Sequence, residues 1–178
     1  MAALRIRGYP FLVAGLGLLA LIMPGTASGV PTDISVEAAF LPRFARYVTW
    51  PPQAMPKGGN PFVLCVIGSD PFGALLDQTA ASQTVDGRRI LVRRLNSAGG
   101  ASDCQIAFVS GNRLEELDDM AAKPVLTVTD GPSGTPRGII HFSVVGGRVR
   151  FFIDQASAQQ RRLTISSRLL ALALGVRQ

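Results

Sequence analysis

The chain of 178 residues holds one histidine, one tryptophan, two cysteines and only two lysines, Lys57 and Lys123. These are the side chains from which many active sites are built, so their scarcity excludes a good deal. His141 is the only imidazole, and no Gly-x-Ser-x-Gly elbow accompanies it, so a Ser–His nucleophile has no obvious second member. Cys65 and Cys104 lack Cys-x-x-Cys spacing and a histidine partner set, which argues against a zinc site. No catalytic residue, metal or cofactor is expected on these grounds. Repeats and low-complexity tracts are also missing.

Long apolar runs are absent too. The most hydrophobic stretch, Phe11 to Met23, falls short of the roughly 20 residues that a bilayer-spanning helix needs. Arg5 and Arg7 precede it and small residues from Pro24 to Gly29 follow it, the layout of a secretory signal peptide. The expected leader is 1–29, with Ser28 as an alternative last residue, and the expected mature domain is 30–178. An uncleaved anchor is the competing reading. Removing Arg5 and Arg7 lowers the formal charge from +6 to +4, and arginine supplies nearly all the remaining base.

An exported protein rarely meets nucleic acid, and these arginines are scattered in pairs rather than clustered with aromatics, so nucleic acid is not an expected partner. The oxidising compartment makes one Cys65–Cys104 disulfide the natural outcome, a pair of buried free thiols being the alternative.

Along the chain, Asp33 or Ser35 caps a helix whose apolar positions recur at three- and four-residue spacing as far as Trp50, with a bend expected near Ala38 to Pro42. Residues 53–61 form a loop. Phe62 to Ile67, Gln105 to Ser110 and Val125 to Val128 are apolar without alternation, as buried parallel strands are. Arg89 to Leu95 is a further strand, 96–103 a loop, and helices are expected from Pro71 to about Thr79 and from about Arg113 to Ala122. This rhythm implies parallel crossovers. Ile139 to Val144 and Arg148 to Ile153, joined through Gly146 and Gly147, form an antiparallel hairpin, expected at one sheet edge. Asp154 caps a short helix to about Gln160, and Ser166 or Ser167 starts a last one over Arg168 to Leu174. The expected fold is a single α/β domain with a mixed, mostly parallel sheet flanked by helices.

Each candidate site has a bland competitor. In Gly68 to Gly73 (GSDPFG) an apolar strand ends in a glycine turn before a helix, where phosphate sites are made. The P-loop lysine is missing, however, and Asp70 puts a carboxylate where the anion would sit, so a structural connection is the better reading. His141, in a strand, is more simply satisfied structure than a base. Glu115, Glu116, Asp118 and Asp119 form a solvated helix face. Arg148 and Arg150 alternate with Val149 and Phe151 and so emerge on one sheet face near the hairpin edge, suited to an acidic partner or to edge protection. Trp50 is either a binding anchor or a core residue.

Taken in order, FARYVTWPP, FVLCVIGSDPFGALLD, VDGRRILVRRL, VLTVTD, GRVRFFID and LTISSRLLALA resemble the YfiR family of periplasmic regulatory proteins, from Val36 to Val176. The resemblance implies an exported, often dimeric α/β domain that represses a membrane-bound diguanylate cyclase by binding its periplasmic domain, and so lowers cyclic-di-GMP output. Other relatives sit beside sensor kinases. It further implies an OmpA-like outer-membrane lipoprotein as a possible sequestering partner, and it carries over no catalytic residue. Cys65 and Cys104 match one family disulfide by position; the second cysteine pair, in the 139–153 hairpin region, is absent here. The expected partner-facing residues are Arg148, Arg150, Arg168 and Trp50. An alternative is a solute receptor or sensor module using the strand ends near Gly68 to Gly73 and Asp130 to Gly134.

Overall fold

The computed structural model describes residues 32–132 and 137–178, and the expected leader lies outside the described residues. Helix α1 spans Asp33–Phe44, with Thr32 at its N-cap accepting a hydrogen bond from the Ser35 amide. It is shorter than its apolar periodicity predicts. After Phe44 the backbone tightens into turns, and Val48–Thr49 forms a short strand, β1. β1 pairs antiparallel with β9 (Thr164–Ile165), a partner remote in sequence that overrides the helical pattern.

Pro42 lies inside α1, and its missing N–H leaves the Ala38 carbonyl without the usual helical donor. The Thr79 hydroxyl of helix α2 (Ala74–Ala81) lies 3.0 Å from that carbonyl and shares its proton with Leu76 of its own helix. The donor lost to proline is thus supplied by the neighbouring helix.

The main sheet comprises β2 (Phe62–Ile67), β3 (Thr84–Val85), β4 (Arg88–Leu95), β5 (Ile106–Val109), β6 (Leu126–Asp130), β7 (Ile140–Val145), β8 (Arg148–Asp154) and β10 (Gly175–Arg177). Their order is β10-β8-β7-β6-β5-β2-β4-β3. The block from β4 to β7 is parallel, as the crossover rhythm requires. β3 returns to β4 through Asp86 and Gly87, and β7 to β8 through Gly146 and Gly147, each turn with positive φ at both central residues, the geometry that matches strand twist. The hairpin is not at the sheet edge. β10 lies outside β8, parallel to Phe152–Asp154, held by an ion pair between Arg177 and Asp154.

The remaining helices are short. α3 is only Glu116–Asp119, and Glu116 turns inward, its Oε2 accepting the Ala98 amide at 2.7 Å. The acidic face is therefore not wholly solvated. α4 (Gln155–Gln160) is capped by Asp154 through the Ser157 amide at 2.9 Å. α5 (Ser167–Leu172) is capped by Ser166.

Every residue of β2 is buried. Phe62, Leu64 and Val66 join the larger core with Leu41, Phe44, Phe108, Phe142 and Leu169, under the helices. Val63, Cys65 and Ile67 face the other way, into a smaller core with Ala98, Ala101, Cys104, Ala107 and Met120. The Cys65–Cys104 disulfide ties the loop before β5 to that second face.

Two stability predictions follow. Thr79→Val should lower the unfolding free energy by about 1 kcal/mol, since it orphans a buried carbonyl. Its Pro42→Ala counterpart, which restores the helical donor, should erase most of the loss in a double-mutant cycle read by urea denaturation. Opening the disulfide, which closes a separation of 39 residues, should cost roughly 3 to 4 kcal/mol, measured by denaturation of the Cys65→Ala/Cys104→Ala variant.

Candidate functional site

The glycine turn after β2 is occupied by its own side chains. Gly68 has φ of +86°, and a Cβ there would strike the Ser110 and Arg113 side chains. Asp70 Oδ1 accepts the amides of Phe72 (2.8 Å) and Gly73 (3.1 Å), so α2 starts at Ala74 rather than at Pro71. Its other oxygen meets Arg94 Nε at 2.8 Å, and Arg94 also binds Asp77 and the Gly73 carbonyl. The Arg94 hydrogen bond holds the Asp77 carboxyl below the usual carboxylate range. The amides a phosphate would use are taken, and the turn is a connection.

Across the second face, β6 and β7 are polar where β2 and β5 are apolar. Thr127, Thr129, His141 and Ser143 are all buried. The connection from β6 to β7 bonds back onto them. Thr127 Oγ1 accepts the Ile139 amide and Thr129 Oγ1 the Gly138 amide, while Ser143 Oγ donates to the Gly131 carbonyl. Gly138 sits so close that a Cβ would lie 2.6 Å from the Thr127 carbonyl oxygen. His141 Nδ1 is 2.8 Å from Thr129 Oγ1 and Nε2 is 3.2 Å from the Gly131 carbonyl. Burial, helped by nearby Arg137, pushes the His141 pKa down. A neutral imidazole with both nitrogens engaged secures this connection, and has no free nitrogen for base catalysis.

At the C-terminal end of β6, Asp130 lies near Glu37 of α1. Glu37 is only 6 % exposed, and burial, reinforced by Asp130 and Asp33, pushes its pKa up to about 7. Asp130 is raised by its own burial. The proposed solute site at these strand ends is thus lined by carboxylates beside Asp130, while Gly134 lies outside the described residues. Two clefts lie elsewhere. One of about 630 Å³ lies at the N-terminal ends of β2, β5 and β6; another of about 640 Å³ lies between Arg137, Phe152 and β10.

Of the expected partner-facing residues, Arg148 and Arg150 are exposed and share a face, opposite Val145 and Ser143 in the register. Val144 and Val145, at the hairpin tip, are 52 % and 45 % exposed. Arg168 is exposed too, but on α5, whose Leu169 packs into the larger core on the opposite face. Trp50 is only 5 % exposed, edge-on to Phe62, and its Nε1–H donates to the Gln105 carbonyl at 3.0 Å. It belongs to the core and offers no surface anchor. Sequence reasoning passed over Gln105, whose side chain accepts the Val63 amide and donates to the Ala54 and Asp103 carbonyls. A glutamine at the mouth of an apolar strand was the available signal.

The fold is a single α/β domain with exposed arginines and valines on the β7–β8 hairpin. The chain belongs to the YfiR/HmsC-like family, whose model matches residues 34–174. That family is one of periplasmic regulators of diguanylate cyclase signalling rather than catalysts. A search of the curated proteins finds no match. Among the described residues no helix is long and apolar enough to cross a membrane, and no cluster of three metal-ligating side chains occurs.

The Glu37 environment sets a pH dependence with a definite sign. A carboxyl whose folded pKa is about 7 against an ordinary 4.5 favours the folded state fully below pH 4.5, and that contribution is lost as pH rises through 7. Glu37→Gln should therefore gain stability over the parent above pH 7, by on the order of 3 kcal/mol, and converge with it near pH 4. Urea melts at pH 4, 6 and 8 measure this; parallel pH profiles for the two proteins would refute it.

Proposed function

We propose that this protein is an exported, non-enzymatic repressor that binds the periplasmic domain of an inner-membrane signalling protein, a diguanylate cyclase, and lowers its cyclic-di-GMP output through the β7–β8 hairpin. The observation that carries the reading is the exposed hairpin itself, where Arg148 and Arg150 stand together on one face with the exposed Val145, while the exposed Val144 lies on the other face. Arginine forks recognise carboxylates bidentately, and apolar tips add contact area, a combination suited to an acidic protein surface. Family membership supports the class of partner. The leader 1–29 would deliver the chain to the periplasm, leaving 30–178 as the working domain. A sensor kinase, an OmpA-like lipoprotein and a second copy of the chain remain further partners implied by the resemblance.

Arg150→Glu should weaken binding to the cyclase's periplasmic domain at least about tenfold while leaving the melting temperature within a degree or two of the parent. Calorimetric titration with that domain and cellular cyclic-di-GMP levels are the readouts. Unchanged affinity would remove the hairpin from the interface. Arg168→Glu, on the opposite face, tests whether α5 contributes.

A further inference from the structure

The cleft at the N-terminal ends of β2, β5 and β6 is distinct from the hairpin. Its walls are the loop after β1 and the segments leading into β5 and β6. The only two lysines in the sequence, Lys57 and Lys123, both line it. Among the described residues neither ammonium has a carboxylate at ion-pair distance. The third cation, Arg93, is already matched, since its guanidinium meets Asp103 at 2.5 Å. A net positive charge of two therefore faces the cleft.

Its floor is apolar. Val63, Met55 and Leu91 line it, and Leu91 is 43 % exposed on a strand face where a polar residue would be expected. The walls are held in place before anything binds. Pro51, Pro52, Pro56 and Pro61 restrict the loop, Arg88 reaches the Pro56 and Gly58 carbonyls, and the buried Gln105 clamps Ala54, Val63 and Asp103 together. Preorganised walls reduce the ordering cost of binding. At about 630 Å³ the volume suits a small molecule.

We propose that this cleft binds a small amphipathic anion, its apolar body on Leu91, Val63 and Met55 and its carboxylate or phosphate between Lys57 and Lys123. The site lies away from the hairpin, so the proposal stands whether or not the hairpin is the repressor surface.

The test is a ¹H–¹⁵N NMR titration of the folded protein with three probes: 2-naphthoate, the neutral 2-naphthalenemethanol, and inorganic phosphate. Naphthoate should shift amides around Val63, Leu91, Gln105 and Lys123, and both other probes should bind about tenfold more weakly, each lacking one half of the recognition. Lys57→Gln/Lys123→Gln should weaken naphthoate about tenfold, with Lys57→Arg/Lys123→Arg retaining most of the affinity. Leu91→Glu, at an exposed position that tolerates charge, should abolish it. Shifts that are absent at millimolar naphthoate or scattered over the surface, equal binding of the alcohol, equal binding of phosphate, or full affinity in the double glutamine variant would each overturn the assignment.

Discussion

The burial of β2 on both faces is the constraint from which the rest of the structure follows. A strand with six apolar residues and no exposed side must be covered twice. The helices cover one face, with α1 laying Phe40 and Phe44 against Phe142 and Phe151. The other face has no long helix. It is covered by the loop carrying Ala98, Ala101 and Cys104 and by the short α3 turn with Met120, held down by the disulfide and by Glu116. The second core is small, so a covalent tie and a buried carboxylate on a backbone amide do there what a helix does on the first face.

Many of the buried polar groups serve the backbone. Several backbone groups left unpaired by the secondary structure are met by side chains: Thr79 on the carbonyl freed by Pro42, Thr127 and Thr129 on the amides of the β6–β7 connection, Asp70 within the turn after β2, Gln105 on the Val63 amide. Buried polar groups must be satisfied, and these are satisfied by one another. A nucleophile or base needs a lone pair or proton left over for substrate. His141, the one residue whose chemistry invites such a role, has both nitrogens engaged with Thr129 and the Gly131 carbonyl.

Much of this was legible in the sequence because it is local. The unbroken apolar runs of β2, β5 and β6, the Gly146–Gly147 turn, and the caps Asp154 and Ser166 all act within a few residues of themselves, and the mixed sheet follows from their order; Asp70 also acts locally, but on the turn before α2 rather than as its cap. What was not legible depends on distant partners. Tyr47 to Trp50 continues the helical pattern of α1, yet Val48–Thr49 pairs with Thr164–Ile165 and Trp50 turns into the core to reach Gln105. Gly175–Arg177 carries no strand pattern, but the edge of β8 and the Asp154 carboxylate hold it in register. Glu116 reads as part of an acidic surface until the Ala98 amide, in a different loop, claims it. For the candidate site, alternation placed Arg148 and Arg150 on one face, whereas the sheet face that separates Arg168 from them is a tertiary fact. The cleft bearing Lys57 and Lys123 unites segments more than sixty residues apart, which no local pattern announces.

The charge on the hairpin also bears on what can occupy its edge. β10 pairs with Phe152–Asp154, and the Leu174 amide bonds the Phe151 carbonyl, so among the described residues only the Arg148–Arg150 stretch of β8 has no strand on its outer side. An open, partly apolar strand edge is a template for strand addition, and the simplest visitor would be a second copy of the same chain. Antiparallel self-pairing there would set Arg148 and Arg150 against their own counterparts, and like charges facing each other across strands oppose pairing. An acidic segment meets the opposite balance, gaining the same backbone hydrogen bonds together with carboxylate–guanidinium contacts. The two arginines are thus suited to both roles that the sequence left as alternatives. Their charge opposes antiparallel self-pairing along this stretch and complements a strand of opposite sign.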